Sequence, residues 1–211
     1  MINRRPVRDK TTWISYLHAS CFAWFIFGFG GTLQFLREEL DLSRTVVSFH
    51  SLAMALGSVT AGLATGAIIK RTGRGLMLRY ASVLLATGIL LFTLGQTLPF
   101  TLLGVAFTTC AGSLIIQGTG SYLAYQQKQA APAAISELHA VASSIGLLAP
   151  VMVGIGATVG WGWRPGIQVA AVGVILIEII RGKNTDAYGP KAVEDEVSDH
   201  HDVPGPFPSL F

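Results

Sequence analysis

The sequence predicts an all-α membrane protein, and three observations carry that reading. Only 13% of its 211 residues are charged while 51% are hydrophobic, against about a quarter charged in soluble chains. Mean hydropathy is +0.52. Most important, the apolar runs repeatedly approach or exceed the ~20 residues that cross a bilayer, whereas a soluble core accounts for an apolar excess but not for runs of that length.

Six spans follow in order, at residues 13–36, 46–69, 76–98, 100–123, 139–159 and 163–180. The first is preceded by Arg4, Arg5, Arg8 and Lys10. It is too long for the apolar region of a signal peptide and lacks a small-residue cleavage site, so it reads as a retained helix. Arg37, Glu38, Glu39 and Asp41 close the first span, and Lys70, Arg71 and Arg74 close the second, because charge does not enter hydrocarbon. Leu98, Pro99 and Phe100 form a short third connection, which makes the third and fourth helices antiparallel neighbours. The sixth span is the shortest, and Pro165 marks its first turn, where a missing N–H costs nothing.

The distribution of the fifteen Lys and Arg residues orients the chain. With the N-terminus inside, inner segments hold Arg4, Arg5, Arg8, Lys10, Lys70, Arg71, Arg74, Arg79, Lys128, Arg181, Lys183 and Lys191. Outer loops hold Arg37, Arg44 and Arg164. Basic residues favour the cytoplasmic side, so both termini are expected there, with the inner (plasma) membrane as the site. The domains read as a cytoplasmic segment 1–12, a six-helix bundle 13–181 and a polar linker 182–211, truncated before a second bundle. That linker carries Glu194, Asp195, Glu196, Asp199 and Asp202 before Pro204, Pro206 and Pro208, a composition of flexible chain.

The formal charge of +3 comes from short clusters between apolar runs and forms no basic domain, which excludes nucleic acid as a partner. Cys21 and Cys110 lie inside apolar runs and build neither a disulfide framework nor a metal site. Gly57, Gly62 and Gly66, and Gly146, Gly154 and Gly160, are small residues of the kind that let helix backbones approach in lipid.

The stretch Gly66-Ala-Ile-Ile-Lys70-Arg71-Thr-Gly73-Arg74-Gly75 resembles the signature G-x-x-x-D-R-x-G-R-R/K of the major facilitator superfamily. Gly66, Arg71, Gly73 and Arg74 match it, between the second and third spans as in the family. Lys70 stands for the signature acid and Gly75 for the final base. In the family the acid pairs across the interface between halves, a pair Lys70 cannot make. Phe27-Gly-Phe-Gly-Gly31 with Asp41-Leu-Ser-Arg44, and Trp161-Gly-Trp-Arg164, are similar to the family as well. Gly146-Leu-Leu-Ala-Pro150-Val-Met-Val-Gly154 resembles its fifth-helix antiporter motif, with Ala149-Pro150 for the usual Gly-Pro. Leu138-His139-Ala140 faintly resembles the sugar-permease branch. The resemblance covers about residues 13–181 and implies the N-terminal half of a major facilitator fold, a 3+3 inverted repeat. The implied activity is secondary transport of a small solute by alternating access, with membrane lipid, that solute and a second six-helix half, on the same or a separate chain, as partners.

Solute in such proteins sits near the midplane, which directs attention to polar residues of the first and fourth helices. Thr109, Ser113, Gln117 and Ser121 recur at i, i+4 spacing on one face, and Gln117 offers both donor and acceptor. The same stripe equally suits hydrogen bonds to neighbouring helices. On the first helix His18 precedes Cys21, Phe22, Phe25 and Phe29, a titratable group above an aromatic wall; the alternative is a neutral ring bonded to a carbonyl. Glu178 is placed to snorkel or to pair with Arg181, and Glu137 to cap the fifth helix. With no carboxylate deep in the spans, His18 or a residue of the second half would carry any proton coupling. Import of a sugar-like metabolite and export of amphipathic compounds both stay open. So does a non-transporting membrane module, either a truncated remnant or an assembly partner stabilised by another protein. An enzyme would need a nucleophile with its base, or paired metal ligands, at depth. Neither is found, so no cofactor or metal is expected.

Overall fold

The computed structural model describes residues 5–183 and 186–189. Regular structure among them is entirely helical: α1 (Lys10–Glu39), α2 (Arg44–Thr72), α3 (Arg74–Leu94), α4 (Leu98–Gln127), α5 (Ala131–Gly146), α6 (Leu148–Thr158) and α7 (Arg164–Arg181), with single 3-10 turns at Lys128–Ala130 and Asp186–Tyr188. Most of the linker expected from residue 182 onward lies outside the described residues.

The helix ends have local causes. Asp9 caps α1 by accepting from the Thr12 N–H at 2.8 Å, and Ser43 caps α2 by accepting from Val46. Such caps satisfy donors that the first turn leaves free. Pro99, Pro132 and Pro165 each fall in the first turn of a helix. Pro99 corrects the third connection: the break falls at 95–97, because Gly95 ends α3 with its N–H on Leu91 O, and proline starts a helix more readily than it separates two. The fifth apolar run begins earlier than expected, at Ala131, and is two helices meeting at Leu147. Pro150 has no N–H for the carbonyl of Gly146, and the Leu147 N–H closes on Ser143 O at 2.9 Å.

By length and composition four helical stretches can cross a membrane: α1, α2, α3 and the run Leu98–Thr158. Helix α7, with 18 residues including Arg164, Glu178 and Arg181, is not among them. The chain is therefore an all-helical protein with several long apolar helices suited to an integral membrane protein.

The most extensive packing joins α3 to α4, α2 to α4, α1 to α5, and α7 to α3 and α1. Helices α3 and α4 touch backbone to backbone: a Cβ on Gly104 would lie 2.4 Å from Phe92 N. Phe25, Phe29, Phe92 and Trp163 form a connected aromatic core with centroids 5.5–5.8 Å apart. Buried Ser20, Ser82, Thr108 and Thr119 donate to carbonyls four residues back on their own helices, so their hydroxyls enter the interior satisfied. The outside carries apolar stripes, Leu52, Leu56, Val59 and Leu63 on α2 and Leu76, Tyr80, Val83, Leu90 and Leu94 on α3. Leu63 is 84% exposed, a position that water penalises and lipid does not.

Candidate functional site

Each end of the bundle is held by a polar contact. Where α1 begins, Arg8 meets Glu137 of α5 at 2.7 Å and Tyr16 donates to the same carboxylate at 3.3 Å. The hydrogen bond and charge of Glu137 raise the Arg8 guanidinium above its ordinary pKa. Glu137 therefore joins α5 to the chain before α1, and the capping role expected of it is corrected: it sits in the second turn of α5, past the free N–H groups. Alongside, Gln127 of α4 accepts from Val7 N at 2.8 Å and donates to Val7 O at 2.7 Å. At the opposite end Arg164 of α7 pairs with Glu39 of α1 at 2.7 Å.

Towards the end where α1 begins and α7 closes lies a partly buried ionic cluster. His18 is fully buried; its Nδ1 is 3.0 Å from Ile14 O and its Nε2 is 3.0 Å from Glu178 Oε1. Ser82 of α3 reaches the same oxygen at 2.9 Å. Arg79 of α3 and Arg181 of α7 lie 3.5 and 2.8 Å from Glu178 Oε2, and Arg79 also donates to Gly182 O. The Arg181 contact is an ion pair by distance only, since neither its three nitrogens nor Glu178 Oε2 has an aligned hydrogen-bond partner among the described residues. Tyr188 closes the cluster, its ring 5.5 Å from the Arg181 guanidinium. Glu178 thus makes the expected pair with Arg181, and in addition joins three helices.

The i, i+4 stripe on α4 does not keep one environment. Four residues turn a helix through about 400°, so each step drifts by ~40°. Thr109 is buried against Gly57 of α2, its hydroxyl on Val105 O. Ser113 is half-buried and Gln117 exposed. Ser121 accepts from Arg74 Nε at 3.3 Å. The first-helix residues separate similarly. Phe22 seats on Gly112 of α4, where a Cβ would overlap its ring, whereas Phe25 lies in the aromatic core and His18 faces α7. Ile26 and Gly30 on α1 and Gln117 and Gly120 on α4 are exposed or half-buried. A Cβ at Gly30 or Gly120 would meet nothing within 4 Å.

In the signature-like stretch Gly73 joins α2 to α3 alone, with φ 81°, a region that favours glycine. Glycine geometry, more than charge, therefore ends α2. Lys70 and Arg71 are exposed and Arg74 is buried, stacked 5.5 Å from the Tyr125 ring. Gly66 faces open space. In the fifth-helix motif Gly146 packs against Phe27 and Ala23 of α1, Pro150 accompanies the break, and Gly154 meets nothing. Gly160, with φ 86°, serves a turn.

Sequence reasoning assigned no site role to Arg79 and Ser82. Their signal was weak, a cation and a hydroxyl at i, i+3 on α3 without a visible partner. Among the described residues no group of His, Cys, Asp and Glu is arranged to hold a metal ion. In comparison with known proteins, no family model and no curated protein matches the chain.

Proposed function

We propose that the chain is a six-helix half of a major facilitator-type transporter, moving a small solute by alternating access in the cell membrane with both ends cytoplasmic. The supporting observation is the pattern of helix contacts. Taking α1, α2 and α3 as one repeat and α4, α5 with α6, and α7 as the other, exchange of the repeats carries α2-on-α4 into α5/α6-on-α1. It carries α3-on-α4 into α7-on-α1 and leaves α3-on-α7 and α1-on-α4 in place; all of these contacts occur. This pattern of contacts supports reading the chain as a 3+3 inverted repeat. In this reading α7 is the sixth span and the broken α5/α6 run the fifth.

The exposed or half-buried positions Gly30 on α1 and Gln117 and Gly120 on α4 are then assigned to the solute-facing wall. An exposed amide at Gln117 is costly against hydrocarbon, and polar, glycine-lined surface contrasts with the apolar stripes on α2 and α3. A second six-helix bundle facing this wall, from a copy of the chain or a separate chain, completes the cavity. The wall is tested by replacing Cys21 and Cys110 with Ala, placing single cysteines at Gln117, Gly30 and Leu63, and adding a membrane-impermeant thiol reagent to vesicles open to both sides. Gln117→Cys and Gly30→Cys are expected to react and Leu63→Cys to stay silent. Three silent positions would place the wall in lipid and end the proposal.

A further inference from the structure

We propose that His18 and Glu178 together bind one exchangeable proton inside the bundle. The argument is one of hydrogen-bond valence. Both partners accept: a backbone carbonyl only accepts, so the 3.0 Å contact of His18 Nδ1 with Ile14 O is a hydrogen bond only when Nδ1 carries a proton. The other ring nitrogen lies 3.0 Å from Glu178 Oε1. A neutral ring has one N–H for these two acceptors, so beside an ionised carboxylate one of the two contacts sets lone pair against lone pair. One further proton, on the ring or on Oε1, makes both contacts hydrogen bonds.

His50 provides an internal contrast. Its Nδ1 also meets a carbonyl, Val47 O at 3.0 Å, but its Nε2 meets the Thr101 hydroxyl at 2.9 Å. A hydroxyl is donor or acceptor as needed, so a neutral His50 is satisfied without an extra proton. His18 has no such partner. Ser82 offers its single proton to either Leu78 O or Glu178 Oε1 and cannot supply the missing one to Nε2. Among the described residues the charges around the pair are Arg79 from α3 and Arg181 from α7, both on the far oxygen of Glu178, and Lys183, which lines the same cavity as Glu178, with the Tyr188 ring beyond. On the α5 side Glu137 is engaged by Arg8 and Tyr16, and His139 is exposed.

The ligand of this site is the proton itself. Bound, it lets both ring contacts be hydrogen bonds and joins α1 to α7; released, the neutral ring satisfies only one of the two, Nδ1 on Ile14 O or Nε2 on Glu178 Oε1. Its use as the coupling ion rests on the transport reading above, whereas its existence does not.

The test uses the full chain in lipid nanodiscs, isotope-labelled at the histidine ring nitrogens, with magnetic resonance spectra followed against pH. The His18→Gln variant identifies the signals. The expected result is one proton per chain lost from the pair as pH rises, with one N–H left on the ring. Glu178→Gln is expected to remove that event, because an amide donates to a neutral Nε2. A native chain in which the pair loses no proton would overturn the proposal by itself, whether or not the variants fold. So would an unchanged release in Glu178→Gln. A chain that shows the titration but carries no proton with any solute supports the site and refutes only its part in transport.

Discussion

Glu39, in the last turn of α1, lies 2.7 Å from Arg164 at the start of α7, and the same guanidinium donates through Nε to Thr93 O of α3 at 2.6 Å. Trp163 adds a third contact, its indole N–H 3.0 Å from Glu39 Oε1. Three helices thus meet on two side chains that are each about one-third exposed. An exposed ion pair contributes ~0.5 kcal/mol, and a hydrogen bond from a charged group ~1.5–3 kcal/mol. Arg164→Ala is therefore expected to cost about 2 kcal/mol and Glu39→Gln well under half of that. Denaturation of both variants in one detergent measures the order; equal losses would show that the carbonyl bond to Thr93 contributes nothing.

Close approach of α3 and α4 gives a second expectation. Gly104→Ala sets a methyl group against the Phe92 backbone, which no side-chain rotation relieves, and is expected to destabilise by ~1–3 kcal/mol or more. Gly120→Ala meets nothing and gains helix propensity of about 1 kcal/mol. Thermal melts of the pair should move in opposite directions.

Burial of Tyr188 pushes its hydroxyl above the ordinary tyrosine pKa, with the Arg181 charge opposing. A raised pKa means that the folded state holds the proton more tightly than the unfolded chain. The associated stability is complete below the unfolded value of ~10 and is lost as pH climbs towards the folded one. Tyr188→Phe removes the titrating hydroxyl, which approaches Arg181 and Ser15, and is expected to lose less stability than the parent between neutral and alkaline pH. Melting curves from neutral to alkaline pH check this, and parallel curves would refute it.

Under the transport proposal, Gln117→Leu is expected to leave folding and membrane insertion intact while abolishing solute movement, since the side chain is exposed. Counterflow in proteoliposomes containing both bundles reads the effect, and full transport by the variant would remove Gln117 from the solute path.

Part of the helical framework was readable from local chemistry, as Pro165 in the first turn of α7 shows, whereas the caps at Asp9 and Ser43 went unread and Pro99 was assigned to a connection although it starts α4. Hydrophobic length located α1 to α4 within a few residues. The break at Leu147 was harder, since Pro150 acts on a carbonyl four residues earlier and the apolar run continues through it. The ionic cluster was the least readable. Glu178 stands three residues from Arg181 in the chain, which suggested a local pair, whereas its partner His18 is 160 residues away and only the packing of α1 on α7 brings them together. Thr109 and Gln117 likewise share a face by spacing but not an environment, because helical drift carries them past different neighbours.

Gly73 accepts from Met77 N and donates to Ile69 O, so one residue terminates α2 and starts α3 with no slack between them. Arg74, the next residue, reaches Ser121 of α4 through Nε at 3.3 Å. Two consecutive residues of the chain therefore tie three helices together at that end of the molecule.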